Sequence, residues 1–149
     1  MTRPNKMVDG EIIPVSDAEW VEYQDRIDNP PGPSTDDVIS ERARRLAMGF
    51  DYDFADARGI HRIGTSDTDM IGWDEVTKLA LTRNARGSDA PIGIITDTGP
   101  VEVTPLEWMA VLEAASAFRQ PIWHASFQLQ AMDPIPGDYD ADKHWPQEA

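Results

Sequence analysis

The residues that could do chemistry are concentrated in the stretch 50–75 (FDYDFADARGIHRIGTSDTDMIGWDE), which combines aspartates with arginine, histidine and glycine. Five of its aspartates could offer oxygen ligands to a hard cation: Asp51, Asp53, Asp56, Asp67 and Asp69. A calcium loop needs alternating ligands around a glycine-enforced turn and a closing bidentate glutamate, and this stretch has no such register. Solvated strand positions and helix starts account for the same aspartates, so we predict no metal site.

Nucleophilic and nucleotide-binding chemistry also lacks a supporting pattern. His61, His124 and His144 are far apart in the chain, and none belongs to an HxxxH or HxH pair. A triad assembled from Ser66, His61 and Asp67 would lack the GxSxG turn that exposes a catalytic serine. The phosphate-binding pattern GxxxxGK is absent as well. We therefore predict no catalytic residue, no cofactor and no enzymatic activity.

The composition favours a small acidic domain that works through other proteins. Its 149 residues suffice for one domain with a core. With 27 acidic and 13 basic residues the formal charge is −14, which disfavours nucleic acid and anionic lipid as direct partners. Cysteine is absent, which excludes disulfides and thiolate chemistry. No apolar run reaches transmembrane length and the start MTRPNKMVDG is polar, so we expect no membrane insertion, no signal peptide and folding in a cytoplasm.

The middle of the chain predicts a compact α+β domain over residues 34–132. Ser34 and Asp37 have the spacing of a capping box at the start of a leading helix, which Gly49 ends. Two β-hairpin-then-helix units follow. Their elements are a hairpin over 50–63, a helix from Thr65 or Ser66 to about Asn84, a hairpin over 92–104, and a helix that opens with the capping box Thr104–Glu107. Pro121 leaves open whether the last helix is kinked or divided in two.

The expected core lies in the first of these hairpin–helix units. Phe50, Tyr52 and Phe54 alternate with polar or small residues, which is typical of a half-buried strand. Met70 and Trp73 begin the apolar periodicity of the following helix. We expect these five side chains to anchor the core.

Extended arms flank the predicted domain on both sides. Residues 1–33 carry a short extended segment, a helix capped by Ser16 and Glu19, and a proline-rich stop. They are too few to form a core, so their apolar side chains either pack on the domain or dock on another protein. Residues 133–149 are proline-rich and acidic, and we expect them to be irregular unless a partner orders them. The residues assigned to a partner interface are Ile12, Ile13, Trp20, Tyr23 and Ile27 in the first arm, and Tyr139 and Trp145 in the tail.

Residues 38–132 also resemble a known family. In RRLAMGFDYDFADARGIHRIGTSDTDM, an Arg-Arg pair leads into an aromatic strand, a glycine turn, a return strand and a Thr/Ser-Asp cap. The unit IGIITDTGPVEVTPLEW then opens an alanine-rich helix with Phe118 and Phe127. This order is similar to a small domain of unassigned biochemical function that is common in bacteriophage tail-fibre and tail-associated proteins. Members of that family often carry lysine in the second hairpin, where this chain has Ile95 and Thr96.

The resemblance implies a structural role in a virion, near the tail tip, baseplate or fibre, after synthesis in the host bacterial cytoplasm. The partners it implies are other virion tail proteins and copies of the chain itself. The family has no catalytic residues to transfer to this sequence. Two alternatives stay open: a chaperone for tail-fibre assembly that is not itself in the virion, and a small metal-binding or enzymatic module.

Overall fold

The computed structural model describes residues 3–146 and confirms a mixed α+β fold. This part of the chain contains four α-helices and three two-stranded antiparallel sheets. The chain divides into two compact units between Gly32 and Pro33. Residues 1–2 of the predicted first arm and residues 147–149 of the predicted tail lie outside the described residues.

The first unit is a β-hairpin followed by a helix. Its elements are β1 (Asn5–Val8), β2 (Glu11–Pro14) and α1 (Asp17–Asp28). The hairpin turns at Asp9 and Gly10, which both have positive φ, 48° and 85°, as a tight two-residue connection requires. Helix α1 begins at the predicted capping box of Ser16 and Glu19. The expected extended segment is therefore one strand of a hairpin, and its partner β1 was not predicted.

The second unit follows the predicted order of a leading helix and two hairpins that are each followed by a helix. Its elements are α2 (Thr35–Ala47), β3 (Phe50–Asp53), β4 (Ile60–Ile63), α3 (Asp67–Ala85), β5 (Ile92–Thr96), β6 (Gly99–Val103), α4 (Pro105–Gln130) and a short 3₁₀ turn (Asp142–His144). Strand β3 pairs with β4, and β5 pairs with β6. Pro121 lies inside α4, which continues through it as one helix.

Each of the three helices of the second unit begins at a capping box. The boxes are Ser34 with Asp37, Ser66 with Asp69, and Thr104 with Glu107. In each box the hydroxyl accepts a hydrogen bond from a backbone N–H of the first helical turn, and the carboxylate accepts one from the cap residue's own N–H. The Ser34 N–H and hydroxyl hold the pKa of Asp37 below its usual value, because they bind its charged form. Gly49 follows α2 with φ of 68°, the left-handed conformation expected of a glycine that ends a helix.

A first hydrophobic cluster joins both hairpins of this unit to α3 and α4. Its largest buried side chain is Trp108, which is only 2% exposed. The other buried members are Ile63, Ala80, Ile92, Ile94, Val101, Val103 and Val111. Trp73 contacts Trp108 edge-to-face, with ring centroids 5.1 Å apart, but it is itself half-buried. The other predicted anchors, Phe50, Tyr52, Phe54 and Met70, are half-buried too. The prediction that these five anchor the core is therefore corrected: Phe50, Tyr52, Phe54 and Trp73 pack against the cluster, but its buried members come from β4, α3, β5, β6 and α4.

A second hydrophobic cluster joins α2 and α4 to the C-terminal segment. Trp145 is 4% exposed and lies among the other buried members, which are Val38, Leu46, Ile122, Ala125 and Leu129. Its indole Nε1 donates to the carbonyl oxygen of Tyr139 at 2.7 Å, and Tyr139 is half-buried beside the cluster. Residues 133–146 contain no α-helix or strand, in line with the predicted irregular tail, but the prediction that they stand apart from the domain is wrong. They belong to the second unit because α2 and α4 supply the apolar surface that buries Trp145.

Polar contacts also fix the C-terminal segment to α2. Arg45 Nη2 donates to the carbonyl oxygen of Asp140 at 2.8 Å and to the carboxylate of Asp142 at 2.9 Å. Its Nε donates to Glu41, a buried carboxylate. Hydrogen bonds from Arg44 and Arg45 lower the pKa of Glu41, with Arg44 the larger influence. These contacts make the segment part of the domain, so Trp145 is not available for a partner interface.

Candidate functional site

The first unit presents apolar side chains without burying any of its residues. None of the described residues 3–32 is buried. The exposed large apolar side chains are Met7, Val8, Ile12, Val21, Tyr23 and Ile27. Ile12 leaves 70% and Val21 64% of its surface open to solvent. Ile13 and Trp20, which were also predicted for a partner interface, are half-buried, and Trp20 stacks on Tyr23 with centroids 5.5 Å apart.

Charged groups, rather than a core, join the hairpin of the first unit to its helix. Arg3 Nη2 donates to the Asp17 carboxylate at 2.7 Å, and the Lys6 ammonium donates to Glu19. The bond from Lys6, followed by those from Ser16, lowers the pKa of Glu19 to about 2.

The aspartates of the stretch 50–75 serve turns, caps and ion pairs. Asp53 accepts from the Ala55 backbone N–H at 2.8 Å, and Asp69 closes the capping box of α3. Asp51 pairs with Arg62, Asp56 pairs with Arg58, and Asp67 lies in the first turn of α3. Within residues 3–146, no three histidine, aspartate or glutamate side chains converge in a group that could hold a metal ion.

His61 and His144 each contact a side chain within hydrogen-bond distance. His61 Nδ1 lies 3.0 Å from Thr96 Oγ1 and 3.2 Å from Thr98 Oγ1, where it links β4 to the turn between β5 and β6. The Ser66 hydroxyl is bonded to Asp69 in the capping box, at 2.6 Å, rather than to His61. His144 Nε2 lies 3.0 Å from Asp138 in the C-terminal segment.

A groove of about 490 Å³ runs between α3 and β5 in the second unit. Its apolar lining comes from Ile63, Trp73, Val76, Leu79, Ile92, Ile94, Ile95 and Trp108. The charged residues that line it are all acidic: Asp69, Glu75 and Asp97. Ile95 stands out because it is 85% exposed, although it belongs to a strand whose neighbouring residues are buried.

Two consecutive isoleucines in β5 indicate an exposed apolar residue beside the hairpin, although the groove itself was not predicted. Ile94 and Ile95 are consecutive, and successive side chains of a strand point to opposite faces. One isoleucine must therefore leave the core of a two-stranded hairpin, and Ile95 does so. Gly72 adds space on the facing side of α3, since nothing lies within 4 Å of where its Cβ would stand.

No family model, curated protein or solved structure matches this chain.

None of the helices described between residues 3 and 146 has both the length and the apolar character to cross a membrane.

Proposed function

We propose that this protein is a structural component of a bacteriophage virion, associated with the tail tip, baseplate or fibre, and that it joins neighbouring tail proteins through its first unit. The observation that carries the assembly role is the folded hairpin and helix over residues 3–32, in which no residue is buried while six large apolar side chains are exposed. The resemblance of residues 38–132 to a tail-associated domain supports the virion setting.

The exposed side chains of the first unit favour a protein partner. Exposed apolar surface is costly in water, and its removal contributes about 25 cal/mol per Å². Met7, Ile12 and Val21 lie on both the hairpin and the helix, so one partner surface could cover residues from both elements. Tyr23 adds a rigid aromatic side chain with a polar end, a type enriched at interfaces.

The charge of the chain supports a role that avoids the packaged genome. A formal charge of −14 repels the phosphate backbone at long range. Docking of the first unit by apolar contact does not require a basic surface, so an acidic chain can join a protein assembly without competing for nucleic acid.

The test uses particles purified from the phage that encodes the chain. Mass spectrometry with isotope-labelled peptides measures the copies of this protein per particle against a major tail protein. A double variant of the first unit, Ile12→Thr with Val21→Gln, is compared with a double variant of the second unit, Ile60→Thr with Leu106→Gln. All four residues are more than half exposed, so neither variant disturbs a core.

We expect a fixed number of copies per wild-type particle, an unchanged number for the Ile60/Leu106 variant, and about a tenfold loss for the Ile12/Val21 variant. Incorporation of the Ile12/Val21 variant at the wild-type level would refute docking through the first unit. Absence of the wild-type chain from particles, with free protein in the infected cytoplasm, would refute the structural role and favour an assembly chaperone.

A further inference from the structure

Strand β5 is paired along only one of its two edges. It pairs antiparallel with β6, and no strand of the described residues 3–146 pairs with its other edge. Strand β4 approaches this edge at the C-terminal end of β5, where the Asp97 N–H donates to the Arg62 carbonyl oxygen at 2.9 Å. The backbone before Asp97 therefore forms an open strand edge.

The register identifies which backbone groups point to that edge. The two-residue turn Asp97–Thr98 places Thr96 opposite Gly99, and the pair that closes such a turn exchanges hydrogen bonds. Hydrogen-bonded and non-hydrogen-bonded pairs alternate along an antiparallel ladder, so Ile95 and Gly93 point their N–H and C=O groups away from β6. Pro100, which has no N–H, lies opposite Ile95, where β6 needs no donor.

The open edge borders the groove between α3 and β5. Gly93 and Ile95 both line it, together with Trp73, Val76 and Leu79 from α3. A strand added beside β5 would alternate its side chains between the two faces of the sheet. Every second side chain would meet the apolar wall of α3, and the others would lie beside Ile95.

The charges of the groove select the kind of strand that fits. Asp69, Glu75 and Asp97 are its charged lining residues, and the chain as a whole carries a charge of −14. A second copy that paired along the same edge would bring these acidic groups together, which disfavours self-association there. Lysine or arginine side chains on the added strand would meet complementary charge.

We propose that the open edge of β5 binds an extended segment of a partner protein, which adds a strand through hydrogen bonds to Gly93 and Ile95. Such a segment carries apolar side chains at alternate positions, toward Trp73, Val76 and Leu79, and basic side chains near Glu75 and Asp97. Strand addition of this kind draws affinity from the backbone and specificity from the alternate side chains. This site lies in the second unit and does not depend on docking of the first unit.

The test begins with random octapeptides displayed on yeast and selected for binding to the full-length chain. Enriched peptides are synthesised, and their dissociation constants are measured by fluorescence anisotropy. Hydrogen exchange of the backbone amides, followed by nuclear magnetic resonance, reports whether the Gly93 and Ile95 N–H groups become protected. We expect enriched peptides with alternating apolar residues and net positive charge, and slower exchange at both amides.

Matched variants distinguish binding at the β5 edge and its acidic residues from non-specific binding of peptides. Glu75→Gln with Asp97→Asn removes two charges of the groove, and Asp89→Asn with Glu113→Gln removes two exposed charges outside it. We expect about a tenfold weaker binding of the basic peptides for the first pair and no change for the second. Peptides N-methylated at the amides facing β5 should lose binding, whereas methylation of the other amides should not.

Three outcomes overturn the proposal. One is that selection yields no peptide with alternating apolar residues. Another is that bound peptides leave the Gly93 and Ile95 amides unprotected, or bind equally well when N-methylated on either side. The third is that both amides become protected without peptide as chain concentration rises, which would make a second copy the occupant.

Discussion

Arg58, in the turn between β3 and β4, donates through Nη1 to the carboxylate of Glu107 at 3.1 Å. The same nitrogen donates to the Glu102 carbonyl oxygen at 2.8 Å, and the guanidinium lies 4.5 Å from the centroid of the Phe54 ring. Glu107 is also the carboxylate that closes the capping box of α4. Arg58 therefore links the β3–β4 hairpin to strand β6 and helix α4.

Replacing Arg58 by alanine should destabilise the second unit. The Arg58–Glu107 pair is only partly shielded from solvent, so we expect a small but measurable loss in the free energy of unfolding. Urea denaturation followed by circular dichroism measures the loss. Arg86→Ala, at an exposed position after α3, serves as the control and should change stability by less than about 0.5 kcal/mol. Equal effects of the two substitutions would contradict a joining role for Arg58.

The contact between Arg58 and Glu107 also predicts how the free energy of unfolding depends on pH. Hydrogen bonds from Arg58, and then from the Thr104 N–H, lower the pKa of Glu107 from 4.5 to about 2. Because the folded value is the lower one, the stabilisation is fully present above pH 4.5 and is lost as pH falls toward 2. Glu107→Gln keeps a capping side chain but removes the charge. The stability difference between wild type and this variant should be constant from neutral pH to about 5 and should shrink below it. A stability difference that grew as the pH fell would contradict a lowered pKa for Glu107.

Gly49 and Gly87 offer a matched pair of glycines that follow helices. Their φ values are nearly equal, 68° and 65°. A Cβ on Gly49 would lie 2.3 Å from the carbonyl oxygen of Ile63, whereas nothing lies within 4 Å of a Cβ on Gly87. Gly87→Ala should therefore cost only the left-handed strain of about 1–2 kcal/mol, while Gly49→Ala must also displace β4. Thermal melts of both variants test this, and equal melting temperatures would show that Ile63 does not constrain the turn.

Trp145 should be essential to the stability of the second unit although it lies close to the end of the chain. It is 4% exposed and packs with α2 and α4. Trp145→Ala should lower the free energy of unfolding by about 3–5 kcal/mol, as for other buried aromatic side chains. Phe127→Ala removes an aromatic side chain that is 57% exposed and should cost much less. If the Trp145 variant had the wild-type denaturation midpoint, Trp145 would not contribute to the core, and the C-terminal segment would again be expected to serve as an arm for a partner.

Local sequence patterns predicted most of the helices and strands. Contacts between residues that are far apart in the sequence could not be predicted from such patterns. Capping boxes such as Ser34–Asp37 and Thr104–Glu107 act over three residues, so their spacing alone marks helix starts. Burial of Trp145 depends on residues about 100 positions earlier in α2, and nothing in the proline-rich segment indicates this. The groove beside β5 was missed for a similar reason. Hairpin periodicity fixes the partner β6 but leaves the other edge unspecified.

Residues 33–149, produced without the first unit, should fold with nearly the stability of the whole chain. Both hydrophobic clusters consist of residues from the second unit, and none of residues 3–32 is buried. We expect the melting temperature of this fragment to lie within about 2–4 °C of that of the full chain, which corresponds to less than about 1 kcal/mol. A much lower melting temperature for the fragment would mean that the first unit stabilises the second rather than standing ready for a partner.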